Sequence, residues 1–201
     1  MDIMYKMTDE EYSKLYVTSD THFFHKKEFI YKHRGYEDAN VMTDDMIDII
    51  NTVVGEDGIL LHIGDFCLNT SLGEYINILK RLKIGQLWML NGNHNNPHRH
   101  FDHAYNGFLF VKELGDYFTF RNKRQEFVCF HFPIAVWDGA GKGVMHLCGH
   151  SHGSYELSLP QNKQHKILDC GWCVHRRPLA IQEVTDIMST KGVNSLHHAK
   201  I

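Results

Sequence analysis

Eight polar side chains in this 201-residue chain are of types that bind metal ions or move protons, and they fall at five points. They are Asp20 and His22, Asp65, Asn93 and His94, His131, and His150 and His152. Each point follows closely on a short apolar run: Leu15-Tyr16-Val17, Ile59 to Ile63, Leu87 to Leu90, Phe127 to Phe130, and Val144 to Leu147. One Asp or Asn after such a run more often makes a turn or caps a helix, and a lone His131 would more often sit in a core. Five such points in succession read differently, because the ligands of open α/β sheets gather beyond the carboxyl ends of the strands. The donors are carboxylate, imidazole and one amide oxygen, with no thiolate required. That mixture suits borderline divalent ions, Mn²⁺ foremost and Fe²⁺, Ni²⁺, Co²⁺ or Zn²⁺ as alternatives, better than the all-oxygen cage of Ca²⁺. Two carboxylates among several imidazoles suggest two ions that share one carboxylate.

The elements that must position these groups alternate between short strands and amphipathic helices. Thr43 reads as an N-cap, with Asp44 and Asp45 in the first turn and Met46, Ile49, Ile50 and Val53 on one face. Ser71-Leu72-Gly73-Glu74 has capping-box spacing and opens a second helix with Tyr75, Ile78, Leu79 and Leu82 inward. Strand, helix, strand order predicts a parallel sheet with crossover helices. The later half predicts closely spaced strands at Tyr117–Phe120, Phe127–Phe130, Val144–Leu147 and Lys166–Leu168, with little helix between them. The expected fold class is α/β, two mixed sheets packed face to face with helices outside. No linker, repeat or low-complexity tract divides the chain, so residues 1–201 read as one domain.

Asp20-x-His22, Gly64-Asp65, Gly92-Asn93-His94, His131 and Gly149-His150-Ser151-His152, in this order, resemble the signature of the calcineurin-like metallophosphoesterases. The stretches from Ser19 to His25, His131 to Ile134 and Leu147 to Gly153 are especially similar to its small bacterial and phage members. The resemblance runs from about Leu15 to about Glu183. It implies a four-layer αββα sandwich. It also implies Asp20, His22 and His152 on one ion, Asp65 bridging, and Asn93, His131 and His150 on the second, with His94 giving a proton to the leaving group. The implied reaction is phosphoester hydrolysis, a phosphodiester ahead of a monoester, by water activated between ions roughly 3.5–4 Å apart. One position departs from the family pattern. The residue after the motif histidine is usually acidic and here is Asn95, which removes a charge that would steady a protonated His94.

Composition narrows the partners. A formal charge of −3 provides no broad basic face for duplex nucleic acid, so a nucleotide or an exposed nucleic-acid end is the expected substrate. No apolar run approaches the roughly 20 residues of a membrane span, and Met1 to Glu11 does not read as a secretory signal; the expected location is the cytoplasm. Five cysteines, an odd count, read as free thiols. Cys170 and Cys173 have redox-like spacing but are expected to pack in the core. His25 is expected to cap the following helix, and its alternative is support of the ions from outside the ligand set. The polar cluster Asn95, Asn96, His98, Arg99, His100 and His103 is expected to be a solvated loop, and its alternative is a pocket wall; His197 and His198 receive no role. The rival readings are a phosphomonoesterase or nuclease on the same centre, a metal-bound scaffold without turnover, and a redox protein. A pure binder could dispense with His94, and a redox protein leaves the ordered Asp/His/Asn set unexplained.

Overall fold

The computed structural model describes residues 4–94, 109–158 and 165–193. Within them the apolar runs become strands of two five-stranded sheets. The first sheet has the order β10 (Leu179–Ala180), β2 (Leu15–Thr18), β3 (Ile59–Ile63), β4 (Gln86–Leu90) and β5 (Phe110–Glu113). The second has the order β1 (Tyr5–Lys6), β6 (Tyr117–Asn122), β7 (Gln125–Phe130), β8 (Met145–Cys148) and β9 (Ile167–Asp169). Strands β2 to β5 are parallel, and so are β7, β8 and β9. The helices are α1 (Asp9–Ser13), α2 (Glu28–Tyr31), α3 (Ala39–Val54), α4 (Leu72–Arg81), α5 (Ser154–Ser158), α6 (Trp172–His175) and α7 (Ile181–Ser189).

A strand sends alternate side chains to opposite faces, and the sequence uses both. Leu15, Val17, Ile59, Leu61, Ile63, Trp88 and Leu90 point between the sheets, where they meet Phe120, Phe127, Cys129, Leu147 and Leu168. The intervening Leu60, Leu87 and Met89 point outward onto Met42, Met46 and Ile50 of α3 and Tyr75, Ile78 and Leu79 of α4. Strand β3 is therefore buried on both faces, which is why it reads as a nearly continuous apolar run. On the outer face of the second sheet, Val128 and Ile167 lie under Trp137, Ala140, Val144 and Tyr155 of α5. The architecture is a two-sheet αββα sandwich.

One local expectation changes. Helix α3 begins at Ala39, not after Thr43, because the Asp38 carboxylate accepts the Asn40 and Val41 N–H groups and stops the chain there. Thr43 is instead buried inside the helix, and its Oγ1 accepts the Phe24 N–H at 2.9 Å, tying the loop after β2 to α3. The Ser71–Glu74 capping box forms as its spacing predicts. Among the described residues no helix is long and apolar enough to cross a membrane.

Candidate metal centre

All eight candidate residues lie just past carboxyl ends of parallel strands, three groups on one sheet and two on the other. Asp20 and His22 follow β2, Asp65 follows β3, Asn93 and His94 follow β4, His131 follows β7, and His150 and His152 follow β8. The backbone there is strained. Asp20 (φ 55°), His22 (49°), Asp65 (57°), His150 (63°) and His152 (49°) are all left-handed, a conformation costing a side-chain-bearing residue on the order of 1 kcal/mol or more. It persists because neighbouring strand ends hold it. The Asp20 N–H donates to Gly64 O at 3.1 Å and the His22 N–H to Asp65 O at 3.0 Å, while Ser19 Oγ donates to Ile63 O at 2.7 Å. Two motif glycines are required by close approach. A Cβ on Gly92 would lie 2.0 Å from Asp65 Oδ1, and one on Gly149 would lie 2.3 Å from Asp20 Oδ2.

The side chains converge. His22 Nε2 lies 3.8 Å from Asp20 Oδ1 and 3.7 Å from Asp65 Oδ2. His152 Nε2 lies 3.9 Å from Asp20 Oδ1, and its ring stacks on that of His22 at 5.6 Å. His131 Nε2 lies 3.5 Å from Asp65 Oδ2 and 2.9 Å from Asn93 Oδ1, and His150 Nδ1 lies 2.8 Å from the same amide oxygen. Two donors bound to one ion at roughly 2.1 Å stand about 3–3.5 Å apart at cis or tetrahedral angles. The wider gaps around Asp20 are those of donors one small contraction from a shared cation. Asp20, His22 and His152 form one group that could hold an ion, and Asp20, Asp65 and His131 form another. Asp20 thus belongs to both clusters, yet Asp65 Oδ2 is the oxygen that faces a histidine of each half.

The charge state fits a cation. Asp20 is fully buried, and among the described residues its Oδ1 and His22 Nδ1 have no hydrogen-bond partner; a buried carboxylate oxygen left bare is costly. Burial pushes the Asp20 carboxyl up, against the pull of His131 and His152. Burial also pushes His22 far down, so it stays neutral and keeps one nitrogen lone pair for a metal. Burial works to raise Asp65, but His131, His22 and the His94 N–H outweigh it and hold the carboxyl at about 2. For His131 burial works downward and is outweighed by Asp65, Asp20 and the Ile63 carbonyl, so its pKa is raised. Its Nδ1–H donates to Ile63 O at 2.8 Å, the kind of contact that fixes the tautomer of a ligating imidazole. Nε2 can then donate to Asn93 only as imidazolium, with a proton where an ion would sit.

His94 is exposed; its backbone N–H donates to Asp65 Oδ1 at 2.9 Å, and its ring is 5.7 Å from that of His22. His25 does not cap α2, which has no side-chain cap, but it lies beside His22. Its Nδ1 accepts the Lys27 N–H at 3.3 Å, next to the start of α2, and its ring lies edge-on to His22 at 5.6 Å. Asn95, Asn96, His98, Arg99, His100, His103, His197 and His198 lie outside the described residues. The cysteine pair divides: Cys170 is buried in the core between the sheets, but Cys173 is only partly buried and sits 3.1 Å from His152 Nδ1. Burial pushes the Cys173 thiol up, and His152 and Arg34 more than reverse it.

Three supporting residues lie outside the motifs of the site. Buried Arg34 donates to the backbone carbonyls of Asp20 and Thr21, both at 2.6 Å. Buried Asp169, at the end of β9, accepts from Ser151 Oγ at 2.6 Å and Gly153 N at 2.7 Å, holding the His150–His152 loop. Cys173 is the third. An apolar period cannot announce a buried polar side chain, and none of the three lies close in sequence to the groups it supports except through the fold.

No protein-family model matches the chain. It is 30% identical over 99 residues to the uncharacterized protein MJ1445 of Methanocaldococcus jannaschii, a match spanning 49% of this chain and 56% of that protein. The chain therefore spans little more than half the length of the curated relative it matches. In three dimensions it is similar to a protein of unknown function, AQ665 from Aquifex aeolicus, at a TM-score of 0.62 and 18% identity over 86% of this chain and 98% of that one. That likeness shows the shared fold. A phosphoesterase from E. coli, YfcE, aligns at a TM-score of 0.40 and 13% identity over 78% of this chain and 77% of its own, too slight to bear on function.

Proposed function

We propose that the protein is a metal-dependent phosphoester hydrolase, acting on phosphodiesters ahead of monoesters. The observation that carries this reading is the bare, buried Asp20 Oδ1 faced by two histidines across strained loops. In the same reading Asp20, His22 and His152 hold one divalent ion, Asn93, His131 and His150 a second, and Asp65 joins them. Mn²⁺ is the first choice for both. When bound, such ions supply positive charge for phosphate oxygens and lower the pKa of an attacking water. The ordered motifs resembling the calcineurin-like metallophosphoesterases support the same assignment.

The chain's own contribution is placement and a proton. Asp65 aligns the two halves and also fixes the His94 backbone through its other oxygen. In this reading His94, exposed beside the cluster, gives a proton to a departing alkoxide. A nucleotide or nucleic-acid end is the proposed substrate, since a flexible ester can reach donors that lie between strand ends.

The test is hydrolysis of a phosphoester panel, including bis(p-nitrophenyl) phosphate and cyclic nucleotides, with Mn²⁺, Fe²⁺, Ni²⁺, Co²⁺ or Zn²⁺. Turnover that chelation abolishes is expected, and none with any metal overturns the enzyme reading. His94→Ala should slow esters of poor leaving groups by roughly 10²–10⁴-fold, the usual worth of general acid catalysis. Esters with good leaving groups should barely change, and equal loss on both removes His94 from the acid role.

A further inference from the structure

The sulfur of Cys173 lies behind the ring of His152, on the nitrogen opposite the one facing Asp20. Cys173 Sγ is 3.1 Å from His152 Nδ1, whereas His152 Nε2 is 3.9 Å from Asp20 Oδ1. The thiol is therefore turned away from the donor cluster and is not itself a ligand. A second donor reaches the same sulfur: Arg34 Nε lies 3.3 Å away. Arg34 is only 6% exposed, and its two other nitrogens hold the carbonyls of Asp20 and Thr21. One guanidinium thus connects the loop after β2 to the loop after β8 through a single sulfur. Cys173 itself is anchored, because Gly171 bridges to Ser19 and the Trp172 N–H donates to Ser19 O at 2.9 Å.

We propose that Cys173, backed by Arg34, is a positioning residue that fixes the ring and tautomer of His152 for metal binding. The proposal rests on the metal reading above and adds a residue to it. Ligating histidines usually donate their second N–H to a carboxylate, carbonyl or water, and losing that partner costs metal affinity. Here a thiol sulfur takes that place. With Nδ1–H donated to sulfur, the Nε2 lone pair is left on the side of Asp20. Arg34 keeps the sulfur from following the ring, because its planar fork is itself pinned by two backbone carbonyls.

Mn²⁺ binding by calorimetry to the wild type and to Cys173→Ala, Cys173→Val and Cys173→Ser tests this. Wild type should take up two ions. Ala and Val, which offer no acceptor, should weaken one ion by roughly 10–100-fold and leave the other unchanged, while Ser should recover part of the loss. The Co²⁺-loaded protein supplies a signature that packing alone would not move. One hyperfine-shifted exchangeable imidazole N–H resonance should persist in wild type and Ser and broaden away in Ala and Val. If Val binds both ions as wild type does, or keeps that resonance, Cys173 only fills space and the proposal is wrong. A wild type that binds no ion overturns the metal reading itself, and this proposal with it.

Discussion

Around Asp20, His22 and His152 the donors stand 3.8 to 3.9 Å apart with one carboxylate oxygen bare, whereas Asn93, His131 and His150 are already joined to each other at 2.8 to 2.9 Å. The backbone divides the same way. Asp20, His22 and His152 are all left-handed, but in the other half only His150 is, with Asn93 and His131 in ordinary conformations. The first half is held open by its surroundings at a conformational cost, and the second has closed on itself by hydrogen bonds. A cation entering the first half relieves a bare carboxylate oxygen. One entering the second must break two contacts to Asn93. The ion of the first half is therefore expected to bind at lower metal concentration, and the two halves are joined through Asp65.

The largest expected effect comes from removing that joint. Asp65→Ala should abolish turnover and empty both halves, losing more than the roughly 10–100-fold that supporting residues cost. Two ions per chain in the purified variant, by elemental analysis, would rule out Asp65 as the bridge. Gly149→Ala should come next and strike mainly the open half. Its Cβ would lie 2.0 Å from Ser19 Oγ and 2.3 Å from Asp20 Oδ2, so Asp20 must move. A destabilisation of about 1–3 kcal/mol, typical of overpacking, should accompany loss of that half's ion, read by thermal unfolding and metal content together. Asn93→Ala should be milder, weakening the closed half alone. Equal weakening of both ions there would mean that the two halves are not separable.

Much of this division was legible in the sequence, and the part that was not has a physical reason. Strand ends, the Ser71 capping box and the five ordered polar points are local patterns, because chemistry and secondary structure both constrain neighbours along the chain. The start of α3 was misplaced because Thr43 and Asp38 are both good caps by type, and only the contact of Thr43 with Phe24 N decides between them. Helix α1 went unannounced because none of its five residues is buried, so it has no apolar face to detect. Arg34 and Cys173 are 139 residues apart and meet only through the fold. The strain was equally invisible. Nothing in the letters Asp-Thr-His says that both ends of that tripeptide are left-handed.

The smallest effect is proton release on metal binding. The pKa of His131 is raised, by Asp65 and Asp20 against burial, and that of His152 is raised, first by its hydrogen bond to Cys173. Both are then largely protonated at pH 6, below the ordinary histidine value of about 6.5. His22, pushed down to about 2 by burial, is neutral there and has no proton to release, and burial pushes His150 down as well. A raised pKa means that the proton competes with the ion below that value and ceases to compete above it, so metal affinity falls as pH falls. Loading both ions at pH 6 should therefore release about two protons, one from each half, with Asp20 adding to the count toward lower pH because burial raises it too. As pH rises through the raised values of His131 and His152 the release should shrink. Calorimetry in two buffers of different ionisation enthalpy counts the protons directly. His131→Gln should remove one of the two while the ion of Asp20, His22 and His152 still binds with its own proton released. If the variant releases as many protons as wild type, His131 is not the source of one of them.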